Sequence, residues 1–261
     1  MRRLRALALL LVVACVAGFE CAAQSKTGIQ FRTVKVNGVA YSYEVYVPPT
    51  WTPQKKWPVI LFLHGVGHNG TYGEPPEPLL APRFTSYQKQ SQAIVVFPRC
   101  RQNKWWSDTD MEAMALGALE QTVREFHGDR VRLYVTGLSM GGYGTWAFAT
   151  RHPGKFAAIA PVCGGIRTPP TIPIPAVSTA SDPYADVARK IGKTPVWIFH
   201  GSADETISVE ESRKMAQALR AAGGDVRYTE YPRVGHNAWD PAYSDPDFFP
   251  WLFSHRLKKE R

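Results

Sequence analysis

The stretch TGLSMGGYGTW, residues 136–146, directly follows the apolar run 131–135. A lone serine, Ser139, stands between glycines at the point where a strand pattern stops and a helical pattern begins. The spacing G-x-S-x-G suits a sharp strand-to-helix turn that holds the serine hydroxyl outward. Gly137 and Gly141 relieve the crowding that such a turn creates. The helix begins beside Ser139, so its free N–H groups and its dipole favour negative charge there. The bland alternative is a plain turn of small residues. The two readings differ in whether the rest of the chain supplies a base and an acid.

On both sides of this stretch, apolar runs alternate with helical patterns. PVILFLHG, QAIVVFPRC, RLYVTG, FAAIAPVCGG and TPVWIFHG are continuous apolar runs of the kind buried on both faces of a parallel sheet. VRYTEYP follows as a last strand. DMEAMALGALEQTVREFH, YGTWAFATRHP and VEESRKMAQALRAAGG read as helices between them, the last ending in glycines that suit a C-cap. DPDFFPWLFSHRLKK reads as a closing helix. Nearer the N-terminus, GIQFRTVKV and AYSYEVYVP flank Asn37-Gly38, a hairpin signal that places two antiparallel strands at a sheet edge. The pattern predicts an α/β fold: a mostly parallel, doubly wound sheet with an N-terminal antiparallel hairpin. Ligands of such sheets gather outside the carboxyl ends of the strands.

What stands at those ends decides the opening question. Serine is a weak nucleophile at neutral pH and needs a base, which needs an orienting acid. VWIFHGSADETIS places Asp204 in a loop just after a strand, and YPRVGHNAWD places His236 in the loop after the final strand. Glu205 and Asp240 are the competing carboxylates; His200 reads as a packed structural histidine. A tetrahedral oxyanion needs two N–H donors. One is the backbone of Met140; the other comes from Val66 or Gly67 in HGVGHNG. Trp105 and Trp106 in QNKWWSD, with Trp239, either hold a ring of the substrate by apolar contact or cover the edge of the site as core residues. The proline-rich segment IRTPPTIPIPAVSTASDPY reads as a stiff wall of the site or as a surface crossover.

The chain has 261 residues, 44% hydrophobic and 20% charged, which is ordinary globular composition with enough length for one large α/β domain. MRRLR, the apolar run ALALLLVVACVAGF and the small residues CAA before Gln24 have the three-part form of a secretory signal. Residues 1–23 are therefore expected to be a signal peptide and 24–261 one domain, secreted or periplasmic. VVAC, ending at Cys15, offers a lipid anchor as the alternative. No other run is long and apolar enough for a membrane span, so none is expected in the mature protein. The formal charge of +9 comes from scattered Lys and Arg, apart from the tail HRLKKER. That is general basicity rather than a nucleic-acid footprint, and no nucleic-acid partner is expected. Neither CxxC nor HExxH occurs, so no metal is expected, and a serine served by a base and an acid implies no cofactor. Cys100 and Cys163 remain after cleavage. Their strands are not expected to be neighbours, which favours free thiols over a disulfide.

LFLHGVG, GLSMGGYGTWAFATRHPGKFAAIAPVCGG, VWIFHGSADETISVEESRKMAQALRAAGGDVRYTEYP and GHNAWDPAY together resemble secreted α/β-hydrolases of the dienelactone-hydrolase and prolyl-oligopeptidase-like group. The resemblance extends from Gly28 to the C-terminus. It implies an α/β-hydrolase fold with Ser139 as nucleophile, Asp204 as acid, His236 as base, and Val66 with Met140 as oxyanion donors. It does not specify a substrate, since feruloyl and acetyl-xylan esterases, carboxylesterases and peptidases share this framework. The expected function is an exported serine hydrolase that cleaves carboxylic esters, small or polysaccharide-linked, through an acyl-enzyme. A serine peptidase and a non-catalytic carbohydrate-binding protein on the same fold are the alternatives.

Overall fold

Asn37 and Gly38 adopt φ of 50° and 80°, the left-handed pair that matches the twist of a two-residue hairpin. They join β1 (Gly28–Val36) to β2 (Val39–Val47), paired antiparallel along their whole length. The computed structural model describes residues 27–68, 84, 86 and 93–258. The expected signal peptide 1–23 and the alternative anchor at Cys15 lie outside the described residues.

Six further strands complete one sheet: β3 (Trp57–Leu63), β4 (Ile94–Pro98), β5 (Gly128–Leu138), β6 (Ala158–Val162), β7 (Val196–Gly201) and β8 (Val226–Tyr231). Their order is β1-β2-β4-β3-β5-β6-β7-β8. The β1–β2 and β2–β4 pairs are antiparallel and every other pair is parallel. This is the α/β-hydrolase fold, with its antiparallel hairpin at one edge. The continuous apolar runs follow from double-sided burial. Val59, Leu61 and Leu63 of β3 face one core layer, while Ile60 and Phe62 face the other. β7 alternates likewise, with Val196 and Ile198 on one side and Trp197 and Phe199 on the other. Each such side chain contributes about 1.5–3 kcal/mol by leaving water.

Four helices pack on the first face: α1 (Thr109–Glu125), α2 (Met140–Arg151), α3 (Pro183–Ile191) and α4 (Glu210–Ala221). The short helices α5 (Trp239–Ser244) and α6 (Phe248–Ser254) pack on the second through Tyr243, Phe248 and Leu252. The glycines after α4 do cap it. Gly223 has φ of 68° and donates to Arg220 O, while Gly224 donates to Leu219 O, which satisfies two of the carbonyls the last turn leaves free.

Helix α3 was not expected from the sequence, because the prolines before it read as one irregular segment. Asp182 starts it by accepting the Ala185 N–H at 3.1 Å, with Pro183 at the first helical position where its missing N–H costs nothing. Helix α5, six residues long, was also missed. Cys100 and Cys163 are free and buried. Strands β3 and β5 stand between the strands they follow.

Candidate active site

Strand β5 meets α2 at Ser139, whose φ of 54° and ψ of −116° are strained for a residue with a Cβ. Close backbone approach enforces the turn. A Cβ at Gly141 would lie 1.8 Å from Leu63 O, and one at Gly137 would lie 2.5 Å from the same atom. Helix α2 thus starts directly on the end of β3, a position only glycine permits. Ser139 N–H donates to Val162 O at 3.0 Å, which ties the turn to β6.

Two other strand ends converge on the serine. A Cβ on Gly201, at the end of β7, would fall 2.3 Å from Val234 O and from Gly235 O. Ala203 N–H donates to Val234 O at 2.9 Å. The loops after β7 and β8 therefore pack backbone on backbone, bringing Asp204 and His236 together. His236 Nε2 lies 2.8 Å from Ser139 Oγ, and its Nδ1 lies 2.7 Å from Asp204 Oδ2. Both Ser139 and Asp204 are buried.

Asp204 takes hydrogen bonds at both oxygens. Oδ1 accepts the N–H groups of Thr206 and Ile207, each at 2.9 Å. Oδ2 faces His236 Nδ1 and also His200 Nε2, at 3.1 Å. Burial by itself pushes the carboxyl pKa up. The hydrogen bonds from His200, His236 and the Ile207 N–H outweigh it and hold the group well below the usual carboxylate range. Asp204 is therefore an anion at neutral pH and can only accept. Nδ1 of His236 must then carry the proton, and the lone pair on Nε2 is left to receive the Ser139 hydroxyl proton. The competing carboxylates stand elsewhere. Glu205 is exposed, and Asp240 Oδ2 accepts from Asn237 Nδ2 at 2.8 Å.

Met140 provides the first N–H of α2, one of those a helix leaves without an internal partner. Val66 opens a short 3-10 turn, Val66–His68, after β3. A Cβ on the preceding Gly65 would lie 3.6 Å from Ser139 Cβ, so that turn begins against the serine. Gly67 meets nothing within 4 Å of such a Cβ, so packing does not demand a glycine there.

The three tryptophans separate. Trp239 lies edge-on to His236, with ring centroids 5.6 Å apart. Trp105 is partly buried and borders a cavity of about 10 Å³ together with Met140, Ile174 and Pro175, residues that bring the proline-rich segment against the elbow helix. Trp106 is fully buried, and its Nε1–H is committed to His64 O at 2.9 Å. It borders the same small cavity as Trp105 but packs as a member of the core.

Sequence reasoning passed over His64. Its Nε2 accepts the Cys100 N–H at 3.0 Å, so Nδ1 donates to Gly65 O at 2.7 Å, and the ring clamps the loop that carries Val66. It likewise missed the contact of His200 with Asp204. The signal was a spacing of four residues across the turn that ends β7. Among the described residues, no group of three or more His, Cys, Asp or Glu is placed to hold a metal ion, and no helix is long and apolar enough to cross a membrane.

The model of the dienelactone hydrolase family matches residues 84–244. An uncharacterized secreted protein of Arthroderma benhamiae is 26% identical over 253 residues, covering 84% of this chain and 26% of that protein. Poly(3-hydroxyalkanoate) depolymerase C of Paucimonas lemoignei is 27% identical over 177 residues, covering 58% of this chain and 41% of that one. The solved structure of a thermostable esterase aligns with a TM-score of 0.70 at 30% identity, over 87% of this chain and 63% of that chain. The chain thus spans less than two thirds of the length of each of these proteins.

Proposed function

The chain belongs to the dienelactone hydrolase family, and on that premise we propose that it is an exported serine esterase working through an acyl-enzyme. The observation that carries the reading is the continuous chain Ser139–His236–Asp204, at 2.8 and 2.7 Å, ending on a serine held in a strained turn. Ser139 Oγ attacks the ester carbonyl carbon while its proton passes to His236 Nε2. The imidazolium that forms is stabilised by the Asp204 anion. The carbonyl oxygen becomes an oxyanion facing the N–H groups of Met140 and Val66. As the intermediate collapses, the C–O bond to the leaving alcohol breaks and His236 returns the proton to that alcohol. Water then repeats the sequence on the acyl-serine, releasing the carboxylic acid and restoring Ser139. The edge-on Trp239 offers the substrate an apolar surface beside the base, and Trp105 offers one on the Met140 side.

A paired panel of aryl esters and peptide amides tests the ester preference. We expect the esters to turn over at least about a hundredfold faster, because an aryl alcohol leaves the tetrahedral intermediate more readily than an amine. Equal or faster amide cleavage would turn the reading to a peptidase. Absence of labelling by a fluorophosphonate would turn it to a non-catalytic binding protein.

Export is supported by the basic–apolar–small pattern before Gln24 and by the description of the Arthroderma benhamiae relative as secreted. The expected product begins at Gln24. Its intact mass decides the matter, and either a retained Met1 or a diacylglyceryl group on Cys15 would overturn it.

A further inference from the structure

We infer that His200 is a positioning residue of this site, donating to the same Asp204 oxygen as His236 and thereby setting how strongly the carboxylate holds the imidazolium. The inference rests on the hydrolytic roles proposed for Ser139, His236 and Asp204. His200 lies near the end of β7 and is completely buried. Its Nε2 is 3.1 Å from Asp204 Oδ2 and 3.0 Å from the Ile207 carbonyl oxygen. Both partners accept only, so Nε2 carries a proton. Nδ1 is 2.7 Å from Ser212 Oγ in the first turn of α4, a hydroxyl that takes either role and leaves Nε2 as the donor. One ring therefore ties helix α4 to the acid.

The consequence is a saturated carboxylate. An ionised carboxylate offers about four acceptor sites. Here Thr206 and Ile207 occupy Oδ1, while His236 and His200 occupy Oδ2. Each added donor draws charge from the oxygens, so the anion attracts a protonated His236 less than it would with His236 as its sole partner on Oδ2. The same contact stops the carboxylate from rotating when His236 gains and loses its proton. Other titratable groups face the cluster: Tyr143 on α2 with Glu211 of α4 beside it, Cys163 after β6, and Glu230 on β8. Exposed Glu205 adjoins Asp204, and Asp240 sits in the first turn of α5 beyond His236. Among the described residues, the donors to Asp204 are the four named.

The test is the pH profile of kcat/KM on an aryl ester for the wild-type chain, His200→Leu and His200→Gln. Leucine removes the donor, whereas glutamine returns an amide N–H near the position of Nε2. In His200→Leu the acidic limb should move to higher pH by about one unit, and glutamine should bring it back. A folded His200→Leu with the wild-type profile overturns the inference. Should that variant fail to fold, nitrogen NMR of the wild-type imidazoles decides. A proton on His200 Nε2 from about pH 6 to 9 is expected, and a proton on Nδ1 alone overturns it. Ser139→Ala in the same ester assay keeps the two readings apart. Activity retained there sinks the hydrolytic reading, whereas an inactive Ser139→Ala beside coincident His200 profiles sinks only this one.

Discussion

Ser139→Ala is expected to lose about 10⁴–10⁶ in kcat on any ester the wild-type chain cleaves, with its fold and melting temperature essentially retained. The loss is large because the serine, the imidazole and the carboxylate act as one unit. Without Oγ there is no covalent intermediate, and His236 Nε2 faces no proton it can usefully take. The fold should survive because the turn is held by backbone contacts: Ser139 N–H to Val162 O, Tyr143 N–H to Ser139 O, and the glycine approach of α2 to Leu63 O. Alanine tolerates the positive φ about as poorly as serine does, so the strain is unchanged. Ester hydrolysis by the purified variant, beside its circular dichroism melt, is the measurement. A folded variant within tenfold of wild type would mean that the elbow is only a turn.

Asp204→Asn should cost about 10⁴ in kcat through the tautomer of His236 rather than through loss of packing. The carboxylate accepts four donors, whereas an amide has one oxygen and one NH₂. With the oxygen turned to the two backbone N–H groups of Thr206 and Ile207, the NH₂ faces His236 and His200. His236 Nδ1 then accepts, Nε2 takes the proton, and the base no longer points at Ser139. Glu205→Gln and Asp240→Asn should stay within a few-fold of wild type, since neither side chain reaches His236 in the hydrogen-bond pattern. If Asp240→Asn were the crippled variant, the acid would have been wrongly assigned.

The depressed pKa of Asp204 adds a stability signature with a definite sign. A carboxylate favoured in the folded state stabilises it above the unfolded value of about 3.9. That contribution fades as pH falls towards the lower folded value. The stability gap between wild type and Asp204→Asn should therefore be full at neutral pH and close in acid, read from denaturant midpoints over that range.

The alternation of apolar runs with helical patterns made the sheet and its parallel character legible, because burial on both faces leaves a run with no polar period. The hairpin was legible from two residues, Asn37 and Gly38, whose positive φ few other pairs sustain. Helix α3 was hidden, since its start depends on one side-chain cap by Asp182 amid prolines that suggest irregular chain. Whether Trp106 is a ligand platform or a core residue stayed open in the sequence, because composition does not reveal which way an indole faces. Its burial under α2 depends on Gly144, far along the chain, where a Cβ would meet Trp106 Cβ at 2.7 Å.

Local chemistry thus specified which residues stand at strand ends: a serine between glycines, a carboxylate after β7, a histidine after β8. Strand order and loop packing decided what those residues touch. The hydrogen bonds of His236 to Ser139 and Asp204 span 97 and 32 residues, and the pairing of Gly201 with Val234 and Gly235 that makes them possible leaves no local mark. The same holds for His200. A sequence shows a histidine four residues before Asp204, but only the turn between them, together with the packing of the β7 and β8 loops, determines that both His200 and His236 donate to one carboxylate oxygen. Periodicity and turn chemistry are properties of neighbouring residues and can be read along the chain. A shared hydrogen-bond acceptor is a property of three-dimensional distance, and the folded sheet alone sets it.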